Sequence, residues 1–187
     1  MYEEKTMDIL FELTDKDIGM EEKEVKEYKT RIAARGIIIN DKGKIAVQAK
    51  YNTNEYKLIG GGIEDKEEPE EGFLREALEE TGCKIQIVKK LGITVEYITL
   101  KNAKQLSHIF VAKVLEDSKM LDLTVKEKSE GAKLIWVEPK EALELIKDSY
   151  NNLESSTYSK DYDVYRMKFI SLRDRKILEY YIDNCKI

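Results

Sequence analysis

Apolar residues recur along this chain in two rhythms, and the change between them marks out its elements. Short runs of aliphatic and β-branched residues come first. Residues 31–39, Arg-Ile-Ala-Ala-Arg-Gly-Ile-Ile-Ile, read as a buried strand. Asn40-Asp41-Lys42-Gly43 supplies a turn, so residues 44–50 form the partner strand, and residues 56–59 form a short third one. Residues 83–100 are rich in β-branched positions but interrupted at Gly92, which predicts a bent strand or a strand pair. Residues 104–115 and 132–137 read as two further strands, and Pro139 opens a short helix. Over residues 158–184 the spacing becomes helical, with Tyr165, Phe169, Leu172, Ile177 and Tyr181 on one stripe. That predicts a long C-terminal helix, continuous or broken near Arg173-Asp174-Arg175. Its apolar stripe needs cover, from its own domain or from a second subunit.

Between the first strands and Gly92 the pattern is interrupted by acid. Residues 61–83 read Gly-Gly-Ile-Glu-Asp-Lys-Glu-Glu-Pro-Glu-Glu-Gly-Phe-Leu-Arg-Glu-Ala-Leu-Glu-Glu-Thr-Gly-Cys. Pro69 suits the first turn of a helix and Gly82 the position just past its end, so residues 69–81 are predicted helical. At about 100° per residue, Glu76, Glu79 and Glu80 share one arc. Leu74, Ala77, Leu78 and Thr81 form a separate stripe, predicted to pack on the body of the domain. Three close carboxylates repel one another, which raises their pKa values unless a cation joins them. Hard oxygen ligands favour Mg²⁺ or Mn²⁺ over zinc. Gly72 lies on the acidic side, where a missing side chain leaves room for a metal or a phosphate. Ahead of the helix, Gly60, Gly61 and Gly62 let the backbone turn sharply and approach a ligand.

Gly61, Glu67, Arg75, Glu76, Glu79, Glu80 and Gly82 stand at every fixed position of a known pattern. The segment resembles the Nudix box, G-x5-E-x7-R-E-U-x-E-E-x-G-U, with Ala77 and Cys83 at the apolar U sites. The resemblance implies a MutT-like hydrolase that uses divalent metal to cleave a diphosphate linked to another group. It implies an α/β fold with a mixed sheet sandwiched between α-helices, the box forming loop, helix and loop. It also implies roles. Glu79 and Glu80 correspond to the principal metal ligands, and Glu76 to a ligand or general base. Arg75 corresponds to the arginine that pairs with the first glutamate, Glu67. The carbonyl of Gly60 is a metal ligand in some members, and Glu64 stands at a position that is often acidic. Ile59 and Lys66 depart from common residues beside the fixed positions, which affects loop shape only.

The remaining candidates lie outside the box. Some members carry a further glutamate, as base or ligand, in a loop past the sheet. Glu127 and Glu130 fit that place, with Glu130 preferred because Gly131 permits a turn. Lys57 enters the glycine run and could meet a phosphate. Arg31 and Arg35 share a strand face by their even separation, where they could bind phosphate or form surface ion pairs. His108, the only histidine, alternates with Leu106 and Phe110 and reads as structural. Tyr56 and Tyr97 could stack on a base or simply pack.

Length and composition narrow the function. The 187 residues suffice for one domain, with residues 1–29 as an N-terminal arm or strands, 30–150 as the Nudix domain and 151–187 as a helical extension. A net charge of −5 with no long basic run argues against broad nucleic-acid binding. An acidic protein with an anionic substrate needs local cations or metal at its site. Two cysteines give no disulfide framework, no apolar stretch spans a membrane, and the N-terminus lacks a signal-peptide pattern. A cytoplasmic setting is the resulting expectation, with a homodimer as one way to cover the C-terminal helix. The expected substrate is a small nucleoside diphosphate derivative: an ADP-ribose-like nucleotide sugar, a dinucleoside polyphosphate or an (oxidised) nucleoside triphosphate. The alternative is a nucleotide-sensing module that keeps the fold without hydrolysis. Such modules commonly lose box glutamates, and all are present here.

Overall fold

The computed structural model describes residues 8–118, 122, 125–129, 131–153 and 161–185. Seven strands form one sheet: β1 (Ile9–Leu13), β2 (Lys29–Ile39), β3 (Ile45–Lys50), β4 (Glu55–Gly62), β5 (Cys83–Ile98), β6 (Ala103–Asp117) and β7 (Ala132–Val137). The helices are α1 (Pro69–Thr81), the short α2 (Val125–Ser129), α3 (Pro139–Asn151) and α4 (Asp161–Asn184). The strand order is β1-β5-β6-β2-β4-β3-β7. β1 runs parallel to β5 and β2 parallel to β6, while the other pairs are antiparallel, so the sheet is mixed. The N-terminal segment therefore supplies an edge strand of the same sheet.

Strand alternation assigns the two faces. On β2, Ile37 and Ile39 join Val47, Leu58 and the α3 and α4 residues Ala142, Ile146, Ile177, Leu178 and Tyr181 in one core. Their neighbours Ala34 and Ile38 point the other way, into a core with Ala46, Ile59 and the α1 residues Phe73 and Ala77. The sheet is thus sandwiched between α1 and the α3/α4 pair. A third cluster joins Tyr165 and Phe169 of α4 to Leu13 and Ile18 near the N-terminus. The apolar stripe of α4 is covered by its own chain.

The structure chooses between the alternatives left open and corrects one expectation. Residues 83–98 form a single strand, the first of the two alternatives, and the register shift beside Gly92 does not end it. Helix α4 is unbroken through Arg173-Asp174-Arg175 because its charges find partners: Arg173 and Asp174 are buried, and Arg175 bonds Glu179 one turn on. Helix α1 has the predicted bounds, with Pro69 in its first turn and the Gly82 N–H closing onto the Leu78 carbonyl at 2.8 Å. Its packed stripe differs. Leu74 and Leu78 stand 41% and 46% exposed, while Phe73, Ala77, Glu80 and Thr81 are buried. The inward face is rotated because one glutamate of the triplet, Glu80, finds polar partners on the sheet.

Candidate active site

Strand β4 ends in the three glycines, and their backbone meets the carboxylates of α1. Gly60 has φ +138°, a conformation that residues with a Cβ rarely adopt. Its N–H donates to Glu80 Oε2 at 2.9 Å. At the next position any side chain would overlap the Glu76 carboxylate. Gly61 thus lets strand and helix come into contact, while Gly60 fits against Ala34 and Arg35 of β2.

The three glutamates of the helix have different surroundings. Glu80 is buried and also accepts from Gln48 Nε2 at 3.0 Å and Lys57 Nζ at 3.2 Å. Glu76 accepts from Arg75 Nη1 at 3.0 Å. Burial pushes the Glu76 carboxyl up, Arg75 opposes this, and the charges of Glu80 and Glu79 add to the rise. Glu79 is the most open of the three and accepts from Arg75 Nη1 at 3.4 Å. Arg75 also grips Glu67 through both carboxylate oxygens, Nε to Oε1 at 2.9 Å and Nη2 to Oε2 at 3.0 Å. Its Nη2 donates to the Gly62 carbonyl at 3.0 Å, so one guanidinium ties the loop, the glycine strand and the helix together. The Arg75 bond holds the Glu67 carboxyl below the usual range, helped by the Glu64 N–H. Gly72 does not open space for a ligand. A Cβ there would lie 3.0 Å from Glu67 Oε2, so the glycine makes room for the Arg75–Glu67 pair.

Among the described residues no three carboxylate, histidine or cysteine groups already converge as a metal cage. Arg75 draws Glu76 and Glu79, while Lys57 and Gln48 draw Glu80. The donor set nonetheless fits a hard divalent cation. All three side chains are carboxylates, and they lie close enough that Glu79 and Glu80 raise the Glu76 carboxyl. Glu76, Glu79 and Glu80 are the groups that would hold Mg²⁺ or Mn²⁺. The peptide of Gly60 is adjacent, bonded to Glu80 through its N–H.

Gly60 and Gly61 also border a cavity of about 380 Å³, which lies between the sheet and α4. Six cationic residues line it, Arg31, Arg35, Lys57, Lys101, Arg166 and Arg173, against one acidic residue, Glu96. Arg31 and Arg35 do share a face, and both line this cavity, Arg31 as an exposed residue and Arg35 as a buried one. Arg35 is only 6% exposed. Burial first, and then the charge of Arg173, hold its guanidinium down to about 10. On the α4 side Arg173 Nε donates to Asp174 Oδ1 at 2.8 Å, and Nη1 reaches both Glu96 oxygens at 3.2 and 3.3 Å. Gln105 Nε2 donates to Glu96 Oε2 at 2.8 Å. Asp174 Oδ2 accepts the Leu58 N–H at 2.9 Å, two residues ahead of Gly60.

The structure therefore brings Glu67, Arg75, Glu76, Glu79, Glu80, Gly60, Gly61, Gly62 and Lys57 together, with Arg35 in the adjoining cavity. Glu130 lies outside the described residues. His108 points to the α1 face of the sheet, away from the cavity. Tyr97 packs edge-on against Tyr28, and Tyr56 against Tyr51, as structural aromatics. Sequence reasoning missed Glu96, Lys101, Gln105, Arg166 and Arg173. For Arg173 a signal existed: it falls midway on the stripe Tyr165, Phe169, Ile177, Tyr181, where a charge demands a buried partner.

Comparison with known proteins bears on the family of the chain. A family model described as NUDIX domain matches residues 29–157. An RNA pyrophosphohydrolase of Pasteurella multocida (strain Pm70) is 29% identical over 130 residues, covering 70% of this chain and 57% of that protein. One of Zymomonas mobilis subsp. mobilis is 29% identical over 135 residues, covering 64% of this chain and 85% of that protein. Among solved structures, the MutT protein from Methanosarcina mazei Go1 is similar at 18% identity and TM-score 0.47, covering 81% of this chain and 99% of that one. Because the family model spans most of the chain and takes in the whole glycine bend and its glutamates, the chain belongs to the NUDIX domain family.

Proposed function

We propose that this protein is a Mg²⁺-dependent pyrophosphohydrolase that cleaves a diphosphate bond in a nucleoside diphosphate derivative, with water as the nucleophile. One observation carries the reading. The carboxylates of α1 and the cation-lined cavity meet at Gly60 and Gly61. A site that needs negative charge for metal and positive charge for phosphate has both within one bend of backbone. A cavity of about 380 Å³ falls in the size range of small-molecule sites.

Bound metal would neutralise the diphosphate and make its water more acidic. The chain's own groups have distinct tasks. Lys57 and Arg35 face the phosphates and Glu79 and Glu80 supply carboxylate oxygen for metal. Arg75 engages Glu76 Oε1, which leaves Oε2 to bind metal or to accept a proton. Arg75 and Glu67 act as positioning residues, because they fix the helix against the loop without facing the cavity.

A second reading, the 5′-phosphorylated end of RNA as substrate, draws on the relatives that are named RNA pyrophosphohydrolases. The net charge of −5 weighs against it. The test is to incubate the protein with Mg²⁺ and a panel of nucleotide sugars, dinucleoside polyphosphates, nucleoside triphosphates and a 5′-triphosphorylated oligonucleotide, then identify products by mass. Glu80→Gln serves as control. One small substrate cleaved only by the intact box supports the proposal. Preference for the oligonucleotide moves the reading to RNA ends. Tight nucleotide binding with no cleavage would point to the sensor alternative.

A further inference from the structure

The cavity has one feature that the carboxylate chemistry does not use. Arg35 and Arg173 are 6% and 1% exposed, come from β2 and α4, and border the same cavity. Each retains a buried N–H without a hydrogen-bond partner among the described residues, Nε on Arg35 and Nη2 on Arg173. A buried guanidinium normally has its donors engaged, because an unmet N–H in a dry site is costly. The carboxylates nearby do not meet this need. Glu96 and Asp174 spend their described side-chain contacts on Arg173 Nε and Nη1, on Gln105 and on the Leu58 N–H.

We propose that Arg35 and Arg173 form an oxyanion subsite at the inner wall of the cavity, whose guanidiniums turn onto a phosphate group of the ligand and so give their two buried, unmet N–H groups a partner. The C-terminal helix is then part of the binding site and not only a cover for the sheet. Two guanidiniums from different elements give the planar donor geometry that a phosphate takes, which one lysine cannot supply. An anion between them also relieves their mutual repulsion. The Asp174–Leu58 bond adds a mechanical link: it ties the helix that carries Arg173 to the strand that ends at Gly60. The subsite deepens the hydrolase reading by placing part of its substrate, but an anion would bind here whether or not hydrolysis follows.

The test uses the full chain, inorganic pyrophosphate as probe, and EDTA so that metal at the glutamates plays no part. Calorimetry gives the affinity, and thermal unfolding gives the shift in midpoint caused by ligand. Arg35→Met removes one donor and also one side of a like-charge contact. A purely structural role for Arg35 predicts a lower midpoint in this variant without ligand. The subsite predicts an unchanged or higher midpoint, together with pyrophosphate binding weakened tenfold or more. Arg173→Lys keeps the charge beside Glu96, so it folds, and it loses the second donor with a similar tenfold weakening. Wild-type affinity in both variants, or no binding by the wild type, overturns the subsite. The hydrolysis panel separates the two readings. Turnover by the wild type with pyrophosphate affinity unaltered in both variants removes the subsite and keeps the hydrolase. Arginine-dependent binding without turnover of any substrate keeps the subsite and removes the hydrolase.

Discussion

The Arg75–Glu67 and Arg173–Glu96 pairs share one chemistry in opposite surroundings. Arg75 is one quarter exposed and its bonds stay within the box, eight residues apart in sequence. Arg173 and Glu96 are each 1% exposed and lie 77 residues apart. Water screens the first pair, so its contribution is geometric: it sets loop against helix. The second pair sits in a dry interface, where each charge depends on the other. On one face of the sheet, charge sets the loop against the helix that carries the box glutamates. On the other, charge holds a helix to the sheet and leaves two buried N–H groups unmet beside a cavity.

The sharpest way to break the first side of this contrast is Glu76→Gln. If Oε2 accepts the proton, turnover falls by about 10²–10⁴-fold, while circular dichroism and the unfolding midpoint stay close to wild type. A fall under fivefold would move the proton-accepting role elsewhere. The second side is broken by Glu96→Leu. It strands Arg173, and removing one partner of a buried pair costs about 3–5 kcal/mol. Urea unfolding measures this, and a loss under about 1 kcal/mol would mean that the network is not holding α4. Arg75→Lys gives the direct comparison. A lysine cannot make the two-pronged bond to Glu67, and loss of such an orienting contact lowers activity about 10–100-fold. Stability should change by no more than about 1 kcal/mol, as for other partly exposed pairs. A large stability loss with normal turnover would reverse the roles assigned to the two pairs.

The same contrast explains how much the sequence discloses. The box, its helix bounds and the Arg75–Glu67 pair are legible because caps, glycines and partners all lie within 23 residues of one another. Most strands are legible from their apolar runs, and the mixed sheet follows from the resemblance of the box to its family. What fails is whatever depends on partners distant in sequence. Periodicity assigns Leu74 and Leu78 to the packed stripe of α1. The sheet instead takes Glu80, because Gln48 and Lys57 wait there, 32 and 23 residues earlier. Three charged residues in a row leave the helix near Arg173 continuous or broken on a local reading. It is continuous because Glu96 and Leu58 meet those charges from 77 and 116 residues away. Arg35 reads as a face partner of Arg31, but nothing in β2 alone says that the face is a cavity wall closed by α4.

The smallest effect concerns a group that is buried without a pair. His108 shares the α1 face with Phe110 and Ala112 by strand alternation. Its Nδ1 has no partner among the described residues. Burial first, and then the charge of Lys90, hold its imidazole below the ordinary value, with Glu70 opposing weakly. Arg173 is buried beside a paired carboxylate, Glu96, whereas burial favours the neutral form of His108. The sign follows from linkage. A lowered folded value means that the folded state resists protonation more than the unfolded chain does. Its contribution is therefore complete above about pH 6.5, the value for an unperturbed histidine, and declines as pH falls through the folded value. His108→Leu should leave the urea midpoint at pH 8 nearly unchanged and flatten the loss of stability as pH falls below about 6.5. Glu67 and the other carboxylates titrate in both proteins, so the difference between the two profiles isolates the histidine. Parallel profiles would mean that solvent or an acceptor reaches His108. The contrast between a buried charge kept by its partner, as in Arg173, and a buried group kept neutral would then fail at this residue.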